Sequence, residues 1–366
     1  MSIHRLKIIS VRNHKEAEFF FSRGVTVIWG ENGSGKTAVL EAIHMISIGR
    51  SFKTHRQREL INVEKNELFI QGDFSNNNQE DHVASSVTKT SGQIIKLNGK
   101  NIHSRKELLG RNIVVVLSPE QQNITKGAPE ERRRFFNKIF SVVSPAYFGV
   151  LQEYNRALKQ RNAALLQLRD NRVKDSDLQS WTPILALSGL KLWGLRRQLM
   201  HQFKSTLGTV LNQFDRDIEL EILYDPRQSN KEQYQNKLEK NINRDIVLGR
   251  TEHGPHRDNF IINWAGKNIK SYGSQGENKL CLILLKLAEL FFVKEKTGKT
   301  PILLLDDLFA KLDLERCKKI VNLLQGFDDF SDDPLQTIVT TTDLINIENS
   351  GLMFSNGNHR TYHLKR

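Results

Sequence analysis

Gly30, Gly35, Lys36 and Thr37 stand at the spacing G-x-x-x-x-G-K-[ST] within VTVIWGENGSGKTAVLEAI, Val25 to Ile43. Residue types at that spacing wrap the backbone around phosphate oxygens. The glycines allow the tight path, so that N–H groups from Gly30 through Glu31, Asn32, Gly33, Ser34 and Gly35 face an anion. The Lys36 ammonium reaches the β- and γ-phosphates of a nucleotide, and the Thr37 hydroxyl holds Mg²⁺. A helix that starts near Lys36 adds its positive N-terminal end.

Two further clusters extend this chemistry. PILLLDD, Pro301 to Asp307, is an apolar strand that ends in two acids. An acid at the tip of a buried parallel strand faces the ligand crevice. Asp306 is expected to hold Mg²⁺ through water, and Asp307 to polarise the attacking water. SYGSQGENK, Ser271 to Lys279, places the Ser274 hydroxyl and the Gly276 N–H at the start of a helix, where an anion binds. About 265 residues separate Lys36 from the acidic strand, far more than a compact GTPase or kinase uses. The nucleotide site is split across the chain, the pattern of ATP-binding-cassette heads, including the SMC type.

The elements that position these groups follow from patterning. Ile3 to Ile9, Glu16 to Phe21 and Val25 to Trp29 read as strands, and Thr37 to Ile48 as an amphipathic helix. Short strands are expected at Leu68 to Phe74, His82 to Thr88 and Gln93 to Leu97, with turns at Ser75 to Asp81 and at Asn98-Gly99. Ile113 to Leu117 is a buried strand. From about Pro129 to Phe214 the pattern is helical, broken at Ser144-Pro145, at Asp170 to Asp177 and at Trp181-Thr182-Pro183. A short strand, Ile218 to Tyr224, and a polar helix, Asn230 to Lys240, follow. Strand patterning resumes at Ile246. The helix Lys279 to Lys294, the acidic strand, a helix near Leu314 to Gln325 and a strand near Thr337 to Val339 close the series. The expected fold is an α/β head with a phosphate-loop core and an antiparallel part, formed by 1–117 and 246–366. A smaller helical lobe, 118–245, carries no long coiled coil.

The chain has 366 residues and a net charge of +13, which suits a protein that meets a polyanion. Candidate phosphate contacts are Arg50, Lys53, Arg56 and Arg58, with Arg132 to Arg134 and Arg161 as alternatives. The most apolar window, Leu280 to Val293, contains Lys286 and Glu289 and is too short to span a bilayer. No secretory segment opens the chain, and a cytoplasmic protein is expected. Cys281 and Cys317 offer no zinc spacing.

Several longer runs resemble the RecF family of bacterial DNA-repair ATPases from end to end. They are GENGSGKTAVLEAI; SFKT, Ser51 to Thr54; SPEQQNITKGAPEERRRFF, Ser118 to Phe136; and the helix with Tyr154, Arg156, Leu158, Gln160, Arg161 and Asn162. Gly254-Pro255-His256-Arg257-Asp258, SQGENK, PILLLDD and QTIVTTTD, Gln336 to Asp343, complete the match. Ala38, Asn137, Thr182, Glu277, Asn278, Lys279 and Lys311 depart from the usual residues. The departures bear on turnover and on contacts between subunits.

The resemblance implies a slow ATPase with ATP and Mg²⁺ as cofactors. ATP joins two subunits, with Lys36 and Thr37 of one and Ser274 of the other around each nucleotide. The homodimer clamps double-stranded DNA near gaps and single-strand/double-strand junctions. RecR and RecO are the implied partners, with RecA loaded indirectly during gap repair and the SOS response. Lys36, Asp307 and a sensor glutamine, Gln121 or its neighbour Gln122, form the expected catalytic set. Asp313 is a candidate contact to the partner, and Thr341 or Thr342 stands at a switch position. A structural or coupling role, rather than metal binding, is expected for His253 and His256. The competing readings are a transporter nucleotide-binding subunit, a non-hydrolysing DNA scaffold and a fragment of an SMC-type nuclease partner.

Overall fold

The computed structural model describes residues 1–76, 79–170, 176–224, 230–308, 312–328, 334–354 and 359–365. Lys311, the middle of the Asp170 to Asp177 break and the tip of the Ser75 to Asp81 turn lie outside them. In chain order, β1 (Ser2–Val11), β2 (His14–Phe20) and β3 (Val25–Gly30) lead into α1 (Lys36–Ile48). Then come β4 (Glu67–Asn76), β5 (Gln79–Thr88), β6 (Gly92–Leu97), β7 (Lys100–Asn101) and β8 (Val114–Leu117). A helical stretch follows: α2 (Asn123–Lys126), α3 (Pro129–Val143), α4 (Pro145–Arg169) and α5 (Ser176–Phe214). Next are β9 (Leu220–Leu223), α6 (Lys231–Lys240), α7 (Ile242–Leu248), β10 (Ile261–Trp264), β11 (Lys267–Asn268) and α8 (Ile269–Tyr272). The rest is α9 (Gln275–Thr297), β12 (Ile302–Asp306), α10 (Leu314–Asp328), β13 (Thr337–Thr341), α11 (Leu344–Ser350) and β14 (His359–Leu364).

The chain forms two compact units. The first holds 1–122, 209–216 and 282–366; the second holds 123–208 and 217–281. In the first unit, a five-stranded sheet runs β14-β3-β13-β12-β8, and every pairing in it is parallel. An antiparallel sheet runs β2-β1-β4-β5-β6-β7. Helix α1 packs on strands of both sheets, so it is buried on nearly every side rather than along one stripe: Ala38, Val39, Leu40, Ala42, Ile43, Met45 and Ile46 all lie in one core with residues of both sheets. This corrects the amphipathic reading of that helix. A helix apolar all round has no solvent face. Its one buried acid, Glu41, is held by the Arg12 guanidinium through two bonds of 3.1 Å and by the Ser51 hydroxyl at 2.6 Å.

The second unit departs from its sequence reading in three places. Trp181-Thr182-Pro183 does not break the helix, because α5 continues through Pro183. Pro183 costs one helical hydrogen bond, offset by burial of Leu185 and Ala186 and by the Arg161 Nε bond to Thr182 Oγ1 at 3.3 Å. Ile246 lies in α7 rather than in a strand, and Gly249 at φ 62° closes that helix. The boundary expected at residue 246 falls at Leu282 instead. The cause is register: β10 pairs with β9 from Ile261↔Leu223 to Trp264↔Leu220, which ties 246–281 to the helical unit.

Buried charge organises this unit. Arg196 is 1% exposed; it donates to Asp258 Oδ2 at 2.6 Å, Pro255 O at 3.0 Å and Asn137 Oδ1 at 3.1 Å. Asp258 also accepts from Trp193 Nε1 at 3.0 Å and from Tyr224 Oη at 2.9 Å. Asn137, one of the departures, is therefore an acceptor inside the network. Arg161 is fully buried against Asp245 at 2.8 Å and Thr251 Oγ1 at 2.6 Å. Arg132 donates to Phe260 O at 2.6 Å, and Arg133 to Asp258 O at 2.8 Å. Arg134 is exposed and pairs with Glu130 and Glu131. Arg132, Arg133 and Arg161 are thus fold supports, which removes them from the phosphate-contact alternatives.

His256 belongs to the same fabric. Its Nδ1 faces Tyr154 Oη at 2.5 Å and its Nε2 faces Thr251 O at 2.8 Å. A neutral ring, with the proton on Nε2, satisfies both contacts. Burial pushes its pKa down to about 4 from 6.5, helped by Arg257 and Arg133 and opposed by the bond to Thr251 and by Glu252. A depressed histidine stabilises the fold above the unfolded value and loses that contribution as pH falls from 6.5 toward 4, because the unfolded chain takes up the proton first. The contribution is about 3 kcal/mol. The urea midpoint is expected to fall more steeply between about pH 7.5 and pH 4.5 in the parent than in His256→Gln. Equal slopes would remove His256 as the source.

Candidate functional site

Because the five strands are parallel and in register, their C-terminal ends open on one edge, where α/β sheets bind ligands. Register sets Leu305 beside Leu117, Asp306 beside Thr340 and Thr340 beside Ile28. The phosphate loop after β3, Ser118 after β8, the acids ending β12 and Thr340 of β13 therefore meet.

Local chemistry shapes the loop. Gly30 has φ 150°, and a Cβ there would lie 2.1 Å from Leu364 O, so the β14 strand leaves room only for glycine. Gly35 has φ 96°, and a Cβ there would lie 2.4 Å from His14 Nε2 and 2.6 Å from Asn13 Oδ1. Those two side chains hold the loop from outside: Asn13 Nδ2 donates to Gly33 O at 3.0 Å, and His14 Nε2 lies 3.1 Å from Gly35 O. The Arg12–Glu41 bond fixes the turn that carries them. Asn13 and His14 were not singled out from the sequence; no short motif marks a turn that reaches the loop only through tertiary packing.

Lys36 Nζ folds back onto Gly30 O at 2.7 Å and Glu31 O at 2.8 Å. Burial lowers its pKa, and Asp307 and Asp306 oppose that shift. Thr37 Oγ1 donates to Asp306 Oδ1 at 2.9 Å, and Thr340 Oγ1 donates to the same oxygen at 2.8 Å. Burial pushes the Asp306 carboxyl above its ordinary value, against these two hydroxyls. Asp307 adopts φ 49°, a left-handed conformation that costs a non-glycine residue about 1 kcal/mol. Its N–H donates to Thr340 O at 3.1 Å, while its Oδ1 is buried with no hydrogen-bond partner. Gln121 Oε1 and Ser34 Oγ are likewise buried without a partner. The orphaned oxygens of Ser34, in the loop itself, and of Asp307, beside the Lys36 charge, mark a place built for donors or a cation.

The structure divides the remaining expected residues. Ser118 Oγ lies 3.4 Å from Asp306 Oδ2 and bonds Glu120, which pairs with Lys53 at 3.1 Å. Burial raises the Glu120 carboxyl, but bonds from Ser118, its own backbone and Lys53 outweigh that and hold it below the usual range. Lys53 is thus engaged beside the nucleotide edge. Arg50, Arg56 and Arg58 are exposed. Thr341 Oγ1 is spent on the Asp343 turn, donating to Asp343 O at 2.9 Å, so the threonine that touches the acids is Thr340. Asp313 caps α10 by accepting from Arg316 N at 2.9 Å. Ser274 and Gly276 belong to the second unit and are exposed. There Ser274 N donates to Glu277 Oε2 at 2.7 Å and Glu277 N to Ser274 Oγ at 3.2 Å, a reciprocal cap. Asn278 Nδ2 donates to Gly273 O at 2.9 Å. Two of the departures therefore stabilise the start of α9. No described helix is long and apolar enough to cross a membrane.

Comparison with known proteins agrees with this architecture. The family described as RecF/RecN/SMC N terminal domain matches residues 2–355. The DNA replication and repair protein RecF of Oceanobacillus iheyensis is 34% identical over 363 residues, covering 96% of each chain. The protein of the same name from Alkaliphilus oremlandii is 33% identical over 352 residues, covering 93% of each. Among solved structures, the recombination mediator protein RecF-ATPrS in the RecFOR pathway superposes with a TM-score of 0.83 at 29% identity, covering 94% of this chain and 93% of that one. An Smc head bound to the C-winged helix domain of ScpA superposes at 0.54 with 17% identity, covering 95% and 91%, a likeness of fold alone. Match length, identity and the convergent site agree, and the chain belongs to the RecF family of DNA replication and repair proteins.

Proposed function

We propose that the chain binds ATP at the edge of the parallel sheet, that two copies close on ATP, and that the dimer holds duplex DNA during recombinational gap repair. The observation that carries this reading is the meeting of Lys36, Thr37 and Asp306 beside the orphaned Asp307 oxygen, with Ser118, on the turn that carries Gln121, reaching Asp306. Backbone N–H groups of Gly33, Ser34 and Gly35 cradle the phosphates, and Lys36 exchanges its two carbonyl partners for phosphate oxygens. Thr37 Oγ1, the Asp306 carboxylate and Gln121 Oε1 are all oxygen donors and fit a hard cation such as Mg²⁺. When bound, Mg²⁺ supplies charge neutralisation on the phosphates. Asp307 orients the attacking water and accepts its proton. Relatives named RecF and the structure named RecF-ATP support the ATP and repair elements of this reading.

Ser274 supplies the second half of each site in the partner copy, through its hydroxyl and the positive end of α9. ATP then favours the dimer because it makes contacts there that a single copy lacks. In the repair setting, RecR and RecO are the proposed partners, with RecA loaded indirectly. Light scattering with ATP and Mg²⁺, with and without short duplex DNA, tests the clamp. The parent protein is expected to double in mass with ATP and retain duplex. Ser274→Arg should stay a monomer while binding ATP with parent affinity. An ATP-dependent dimer in Ser274→Arg would remove Ser274 from the interface.

A further inference from the structure

We infer that an open groove in the first unit seats one backbone of the duplex; this rests on the DNA-binding reading above. The groove has a volume of about 570 Å³ and is lined by Arg56, Arg58, Glu59, Val87, Lys89 and Gln93, among others. It runs between the single turn Gln57–Leu60 and the β5–β6 hairpin. Three lining residues are cations and one is an acid.

The donors there are barely engaged. Arg56 meets Glu59 only at 4.0 Å. Arg58 Nη2 gives one long bond to Thr90 O at 3.4 Å, and Lys89 Nζ one to Asn66 Oδ1 at 3.4 Å. Each guanidinium carries five N–H donors, so most of them face solvent. Arg105 adds a fourth cation at the wall, with its Nη2 on Gln93 Oε1 at 3.3 Å. The one acid, Glu59, accepts at Oε2 from Thr54 Oγ1 at 2.6 Å, which turns one of its two carboxylate oxygens to Thr54.

This lining selects the ligand. Arginine forks and a lysine match phosphodiester oxygens, which carry no base sequence. Among the described residues no aromatic side chain lines the groove, so they offer bases no stacking platform of the kind single-strand sites use. A duplex backbone fits both facts. The basic run read from the sequence therefore splits in two. Arg56 and Arg58 join Lys89, from a hairpin about 30 residues later, to grip phosphate. Lys53 stays with Glu120, next to the acids of the nucleotide edge.

The test uses the full chain with Arg56→Ala, Arg58→Ala and Lys89→Ala combined, titrated with fluorescent duplex in ATP and Mg²⁺ across about 50 to 300 mM salt. Counterion release gives about fivefold per lost contact near 0.15 M salt, hence on the order of a hundredfold for three. The slope of log affinity against log salt should flatten by about 1 per contact. ATP binding should be unchanged, and Lys53→Ala should keep the parent slope. A triple variant with parent affinity and slope overturns the groove while the parent's own binding leaves the DNA reading intact. Competition by inorganic tripolyphosphate as strong as that by duplex, at equal phosphate, marks a small-anion site and also overturns it. A parent protein that binds no duplex under any nucleotide condition overturns both.

Discussion

Replacing Asp307 with Asn is expected to slow ATP turnover about a hundredfold or more while leaving ATP affinity near the parent value. The carboxylate stands one residue beyond the buried strand Ile302–Asp306, and Asp307 itself is half-buried. It holds φ 49°, and the structure sustains this strain by pairing its N–H with both oxygens of Thr340. Its Oδ1 is buried and unpartnered, which is costly unless something arrives to use it. Asn keeps the size and the φ preference, since it tolerates the left-handed region, but cannot accept a proton. Asp306 differs: two hydroxyls already claim its Oδ1, as suits a residue held for a cation. Quenched-flow or steady-state turnover, paired with equilibrium ATP binding, separates the roles. Unchanged turnover in Asp307→Asn would exclude it as the base. Loss of ATP binding in the same variant would reassign it to nucleotide grip.

Asp258→Ala is expected to destabilise the helical unit by about 3 to 5 kcal/mol. The loss does not equal the worth of one ion pair. It reflects a guanidinium, Arg196, left at 1% exposure without its counter-ion, together with indole and phenol donors that lose their acceptor. The double variant Arg196→Met/Asp258→Leu removes both charges and should recover much of that loss, because a matched apolar pair has nothing to desolvate. Urea unfolding followed by far-ultraviolet circular dichroism measures both. A cost below about 1 kcal/mol for Asp258→Ala would mean that solvent reaches Arg196 and that the site is not the sealed network described. The pairing also accounts for the GPHRD run. Pro255 supplies a carbonyl, His256 a neutral ring and Asp258 a carboxylate, and all three serve the packing of α4, α5 and the loop rather than chemistry.

Several features were legible in the sequence because their cause is local. The phosphate loop needs glycine at positive φ and a lysine at a fixed offset, so spacing alone located Gly30 to Thr37. The acidic strand was legible because a buried parallel strand reads as an unbroken aliphatic run, Ile302 to Leu305, and its polar end must leave the core. The S-x-x-E cap at Ser274 and Glu277 is also a short-range bond, but the sequence reading took the Ser274 hydroxyl for an anion contact rather than for the cap.

Tertiary structure decided the rest. Asn13, His14, Ser118 and Thr340 reach the site only because parallel register and the Arg12–Glu41 bond bring distant segments together. Pro183 stays inside a helix because buried neighbours outweigh one lost hydrogen bond. Strand β14 escaped notice because an edge strand with mostly exposed side chains lacks a buried stripe to announce it. The basic residues illustrate the division most plainly. Composition and the basic run gave a charge that suits a polyanion, but a charge has no direction in a sequence. Folding turned Arg132 and Arg161 inward as supports, set Lys53 against Glu120, and left Arg56, Arg58 and Lys89 facing solvent along one groove.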